Sequence, residues 1–105
     1  MLTQHETLAL SLFVRLEAKP GKEKEVEAFL QQGLQLANAE ATTPLWFALR
    51  LGKSTFAIFD SFRDEAGRQA HLNGPIAKAL MAKAPELFAT PPVIEQLEVL
   101  GAKLP

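Results

Sequence analysis

At 105 residues the chain is long enough to bury one core and short enough to make self-association plausible. Lys and Arg number 11 against 12 Asp and Glu, a net charge of −1, and the basic residues are scattered. This excludes nucleic acid as the main partner, since phosphate binding needs a concentrated basic face. The absence of cysteine excludes disulfides, thiolate catalysis and Cys-based zinc or iron–sulfur sites.

Residues 1–7 are polar and read as a loose tail, with His5 in it and discounted as a site residue. No basic leader precedes the apolar run that follows, and Arg15 interrupts it, so neither a signal peptide nor a membrane span is expected. A cytoplasmic location is the default expectation. From Leu8 to Ala18 the pattern has period two. Leu8, Leu10, Leu12, Val14, Leu16 and Ala18 share one face, and Ala9, Ser11, Phe13, Arg15 and Glu17 the other, which predicts a strand. Pro20-Gly21 ends it. Lys22 to Glu25 opens a helix with acids in the first turn, where the helix dipole favours them. Val26, Phe29, Leu30, Gly33, Leu34 and Ala37 form its apolar stripe, and the helix is predicted to end near Ala39.

Thr42-Thr43-Pro44 is a connector to a second strand, Leu45 to Leu51, with Trp46, Ala48 and Arg50 on one face. Gly52-Lys53-Ser54 reads as a hairpin turn. Thr55 to Phe62 is the third strand, with Phe56, Ile58, Asp60 and Phe62 pointing one way. A helical region starts at Arg63-Asp64-Glu65, breaks at Asn73-Gly74-Pro75 and restarts, since proline suits a first helical turn. Ile76, Leu80 and Leu87 continue the apolar stripe, and Pro85 is predicted to kink or end the helix. Val93 to Leu100 alternates as a last strand.

The order β–α–β–β–α–β predicts an α+β ferredoxin-like sandwich. Its antiparallel four-stranded sheet has both helices on one face, in a single domain with its core at about 8–100. The second sheet face keeps apolar residues with nothing in the chain to cover it, and a second copy is the simplest cover. The chain has no glycine-rich phosphate loop, paired-histidine metal spacing or serine elbow. Any site is therefore expected in a pocket between sheet and helices, with Thr55 to Phe88 supplying much of one wall.

Two phrases carry a resemblance. Arg15-Leu16-Glu17-Ala18-Lys19-Pro20-Gly21-Lys22 resembles the first-strand exit of the antibiotic biosynthesis monooxygenase family. Phe56-Ala57-Ile58-Phe59-Asp60-Ser61-Phe62-Arg63-Asp64, followed by Ala70-His71-Leu72 and Pro75, resembles a later part of it. The resemblance spans Leu8 to Leu100 and rests on order and spacing together. It implies a homodimeric α/β barrel whose relatives include cofactor-independent oxygenases of anthrones and quinols, and haem-degrading enzymes. Haem-degrading relatives carry an asparagine, a tryptophan and a haem-ligating histidine where this chain has Val14, His71 and Met81. Haem degradation is therefore disfavoured. A second departure lies at Thr42-Thr43-Pro44-Leu45, where the family has a Glu-Pro-Gly-Cys-like approach to the second strand. The family's common tryptophan at the end of the third strand is Phe62 here, and its preceding glutamate is the shorter Asp60.

The chemistry implied by the resemblance is oxidation of a small apolar aromatic or quinol-like ligand by O2, with no cofactor. The protein supplies a dry pocket, a base and donors for the substrate anion. Phe13, Trp46, Phe56 and Phe62 are candidates for the apolar wall. His71 is the best-tuned base at neutral pH. Asp60 either orients it or acts instead, and Arg15 or Arg50 steadies an oxyanion. Each has a plainer reading: His71 as a capping side chain, Trp46 and the phenylalanines as core or interface, Asp60 as a loop anchor. The alternative function is a non-catalytic dimeric barrel that binds a small apolar ligand in a stress or regulatory role. No nucleic acid or membrane partner is expected.

Overall fold

In a computed structural model that describes residues 8–105, the alternating first run forms β1, Leu10–Glu17. The tail 1–7, including His5, lies outside the described residues. Leu12, Val14 and Leu16 are buried on one face of β1, while Arg15 on the other is exposed. Strand β1 is shorter than the predicted Leu8–Ala18. Beyond its C-terminal end, Ala18 makes an isolated bridge to Phe88, and Leu8 is buried without strand pairing.

Helix α1 covers Glu23–Asn38, with Glu23 and Glu25 in its first turn. Ser54 Oγ donates to Glu23 Oε2 at 2.7 Å, which ties the helix start to the distant hairpin. Val26, Leu30, Gly33 and Ala37 of the predicted stripe are buried, Phe29 is partly buried against the core, and Leu34 is exposed. Strand β2, Leu45–Arg50, and strand β3, Thr55–Phe62, are joined by a turn in which Leu51 and Gly52 N–H both donate to Thr55 O. Leu51 is outside the strand, contrary to the alternation, because its N–H belongs to this turn.

Helix α2, Glu65–Leu72, is capped by the Asp64 side chain, which accepts from Gly67 N–H at 2.9 Å. Helix α3, Pro75–Leu87, starts with proline in its first turn and buries Ile76, Leu80 and Leu87. The predicted break at Asn73-Gly74-Pro75 thus separates two helices. Pro85 does not end α3. Its missing N–H leaves the carbonyl of Met81 without its intrahelical bond. Lys19 Nζ donates to Pro85 O at 2.6 Å, and Lys19 N–H to Leu87 O at 2.8 Å. These bonds fasten the last turn to the end of β1. Strand β4 is Ile94–Glu98. The predicted ends Val93 and Leu100 are solvent-exposed and lie outside it.

The sheet order is β2-β3-β1-β4, antiparallel throughout, with the helices on one face. This is the ferredoxin-like α+β fold. The core lies between that face and the helices, where Val14, Leu16, Phe56 and Ile58 meet Val26, Leu30, Leu80 and Leu87. Register assembles an aromatic row on the opposite face: Phe13 lies abreast of Phe59, and Phe59 abreast of Phe47. The Phe47 and Phe59 rings stack with centroids 6.5 Å apart, and Phe47 is 48% exposed. Among the described residues, no helix is long and apolar enough to cross a membrane.

Candidate functional site

The chain's most concentrated chemistry lies where α2, the α1–β2 connector and β3 meet. His71, in the last turn of α2, is only 6% exposed. Its Nδ1 is 2.8 Å from Glu40 Oε1 and its Nε2 is 3.1 Å from Asp60 Oδ2. Asp60 is 2% exposed and reaches the site because it follows Phe56 and Ile58 on the helix-facing side of β3. Thr43 Oγ1 donates to Glu40 Oε1 at 2.8 Å. Phe62, wholly buried, sets its ring 5.3 Å from the imidazole.

Carboxylates accept hydrogen bonds and do not donate them, so both ring nitrogens must donate if both carboxyls are ionised. The arrangement therefore favours the imidazolium. Burial pushes the His71 ring towards the neutral form, but hydrogen bonds from the ring to Asp60 and Glu40, and their charges, outweigh it and raise the pKa. Burial likewise raises the Asp60 carboxyl, with His71 opposing the shift. The His71 ring thus holds its proton more tightly than a free imidazole, between two carboxyl groups that accept its N–H bonds. Asp60 Oδ1 is buried and has no hydrogen-bond partner among the described residues.

Asp60 and His71 line a cavity of about 30 Å³ beneath α3, whose other walls include Leu12, Val14, Ile58, Ile76 and Leu80. That volume accommodates one water molecule. The walls are aliphatic, whereas the sequence suggests an aromatic pocket. Trp46 is the register partner of Asp60 on β2 and packs over Gly33, where an added Cβ would meet its ring at 3.3 Å. Phe56 and Arg50 lie at the far end of the same face. There the Arg50 guanidinium sits 4.6 Å over the Phe56 ring, pairs with Glu27 and borders an open cleft of about 510 Å³ between α1 and β2.

Of the residues singled out by sequence, the structure brings His71, Asp60 and Phe62 together, with Trp46 beside them. It does not bring in Phe13 or Arg15, which alternation places on the opposite face of β1, or Arg50 and Phe56. The four aromatics accordingly do not form one wall within a single chain. Glu40 and Thr43 escaped the sequence reading. The available signal was an acid just past a helix C-terminus, where the dipole disfavours it unless a cation is near. Among the described residues, no group of three or more His, Cys, Asp and Glu is arranged to hold a metal ion.

No family model matches the sequence, and no curated protein does. Solved structures do match. A protein named "putative antibiotic biosynthesis monooxygenase" from Caulobacter crescentus shares 20% identity over 93% of this chain and 99% of its own, with a TM-score of 0.76. One of the same name from Nitrosomonas europaea shares 12% over 89% and 91%, with a TM-score of 0.78. At these identities the two share this chain's ferredoxin-like fold. A protein of unknown function from Nitrosomonas europaea is 63% identical, covering 92% of this chain and 94% of its own, with a TM-score of 0.88. At that identity and coverage, this chain belongs to the same family as the Nitrosomonas europaea protein of unknown function.

Proposed function

We propose that the protein is a homodimeric, cofactor-independent monooxygenase of small aromatic or quinol-like substrates, with the Asp60–His71 pair handling the proton. The observation that carries this reading is the buried Oδ1 of Asp60, unpartnered among the described residues, on a side chain that lines a cavity and whose other oxygen is held by His71. The names of the two distant structural neighbours point the same way.

The quinol gives a proton to Asp60 Oδ1, and the imidazolium of His71 stabilises the resulting anion. The anion passes electrons to O2, and carbon–oxygen bond formation followed by loss of water leaves a hydroxyquinone. The balance is one quinol and one O2 to one hydroxyquinone and one water. His71 is then an already protonated partner and Asp60 the base. Admitting an aromatic ring requires α3 to move off the sheet, since the cavity now takes only a water. The dimer is supported by the Phe13–Phe59–Phe47 row, an apolar strip on the face away from the helices.

Oxygen uptake with menadiol tests the reading against protein-free autoxidation. The expected result is acceleration by the wild type and a loss of about a hundredfold or more in Asp60→Asn, the usual contribution of a positioned base. Uptake at the autoxidation rate would overturn it. The small cavity favours a second reading, non-catalytic binding of a small apolar ligand. That reading predicts a raised melting temperature with menadione and no turnover.

A further inference from the structure

We propose that Glu40 is a positioning residue of this site: it takes the Nδ1–H of His71, which commits Nε2–H to Asp60 Oδ2 and leaves Asp60 Oδ1 free to exchange a proton. This rests on the reading of Asp60 as the proton acceptor. Glu40 is placed for the task by contacts on both sides. Its Oε1 receives Thr43 Oγ1 at 2.8 Å as well as the imidazole at 2.8 Å, and Thr43 N–H donates to Glu40 O at 3.2 Å. The connector thus folds back on itself to present one carboxylate oxygen to the ring.

The other oxygen explains why the ring must be charged. Glu40 Oε2 is buried with no partner among the described residues. A Cβ added to Gly74 would meet Ala70 O at 3.1 Å, His71 O at 3.3 Å and Glu40 Oε2 at 3.4 Å. The carboxylate therefore lies against the carbonyl end of α2, the end that repels anions. His71 supplies the compensating cation. Among the described residues, Asp60 and Glu40 are the charged groups that act on the ring. Strand β1 presents Leu12 and Val14 to the cavity and α3 presents Ile76, Ala77 and Leu80. On α2 itself, Arg68 is engaged by Glu65 and by the carbonyls of Ser11 and Leu97.

The test is nitrogen NMR of the imidazole rings, with His5 identified by His5→Gln because the chain has 2 histidines. In the wild type near neutral pH, Nδ1 of His71 should carry a proton. Glu40→Gln keeps an oxygen that can accept from both Thr43 and Nδ1–H while removing the charge. It should weaken the proton affinity of His71 by about tenfold or more, with the melting transition retained. A bare Nδ1 in the wild type overturns the proposal whether or not the variant folds, and so does an unchanged His71 titration in a folded Glu40→Gln. These readings need no turnover. A protonated Nδ1 with no oxygen uptake would sink the monooxygenase reading alone, and a bare Nδ1 with uptake would sink only the role of Glu40.

Discussion

Two charged contacts join the region around α1 to the helix-facing side of the β2–β3 hairpin, and they differ in almost everything except residue type. At one end Glu40, His71 and Asp60 are enclosed, and each ring nitrogen meets a carboxylate. At the other end Glu27 pairs with Arg50, and these side chains are 49% and 45% exposed. Water screens the second contact, and the aliphatic stem and stacked guanidinium of Arg50 are what hold it against Phe56. In the first contact, desolvation makes every proton's position consequential. Burial, more than the presence of charged side chains, separates a group that can run proton chemistry from one that decorates a helix.

The largest expected effect breaks the buried end. His71→Ala leaves two enclosed carboxylates facing each other without a cation, and removing one partner of a buried ion pair costs about 3–5 kcal/mol. Urea unfolding should show that loss. A change below about 1 kcal/mol, the range of surface pairs, would mean that the two ends do not differ.

This comparison could not be drawn from the sequence, although the fold largely could. Period-two runs marked β1 and β3, and Asn73-Gly74-Pro75 marked the break between α2 and α3, because these signals are local. Asp60 and His71 were singled out by residue type. Their meeting depends on the sheet's depth and the angle of α2, which no spacing encodes. Glu40 is not legible as a site residue because its partner lies 31 residues away. The aromatics cannot be sorted between the two faces by sequence, because a single strand's alternation does not say which face the helices will cover. Once the register is known, Phe13 falls on one side of the sheet and Phe56 and Phe62 on the other.

The next effect concerns the outer face, and it sharpens the contrast between buried polar and exposed apolar surface. If the Phe13–Phe59–Phe47 row is covered by a second copy, Phe47→Asp places a charge in that contact. Central aromatic positions of interfaces are worth about 2 kcal/mol or more, so the dissociation constant should rise by about thirtyfold or more. Light scattering reads this as a fall from dimer to monomer mass at micromolar concentration. A wild type that is monomeric there would refute the dimer outright.

The buried end should also carry a pH dependence that the exposed end lacks. The His71 ring is held above its ordinary value of 6.5, so the folded protein binds that proton more tightly than the unfolded chain. Its stabilising contribution is fully present below pH 6.5 and is lost as pH rises through the folded value. The Asp60 carboxyl is raised above its ordinary 3.8, and its contribution likewise fades as pH rises through its folded value. Unfolding free energy should therefore decline above pH 6.5, by no more than about 1.4 kcal/mol per pH unit for each proton involved. His71→Gln should flatten the profile. A wild-type profile that is flat or rises as pH goes up from 6.5 would contradict the protonated ring.

The smallest effect belongs to the exposed end. Glu27→Gln removes the charge opposite Arg50 but leaves the guanidinium over Phe56 and its hydrogen bonds to Gly52 O and Lys53 O intact. An exposed pair of this kind is worth about 0–1 kcal/mol and weakens with salt. Arg50→Ala should cost more than Glu27→Gln, because it also strips the cover from a buried ring. A double-mutant cycle isolates the charge contribution, and its coupling should stay below about 1 kcal/mol and shrink as sodium chloride is added. A larger, salt-insensitive coupling would show that the pair is shielded from water in solution. The cleft between α1 and β2 would then be closed, and the far end of the sheet would join the buried one as a place where charge can be put to chemical use.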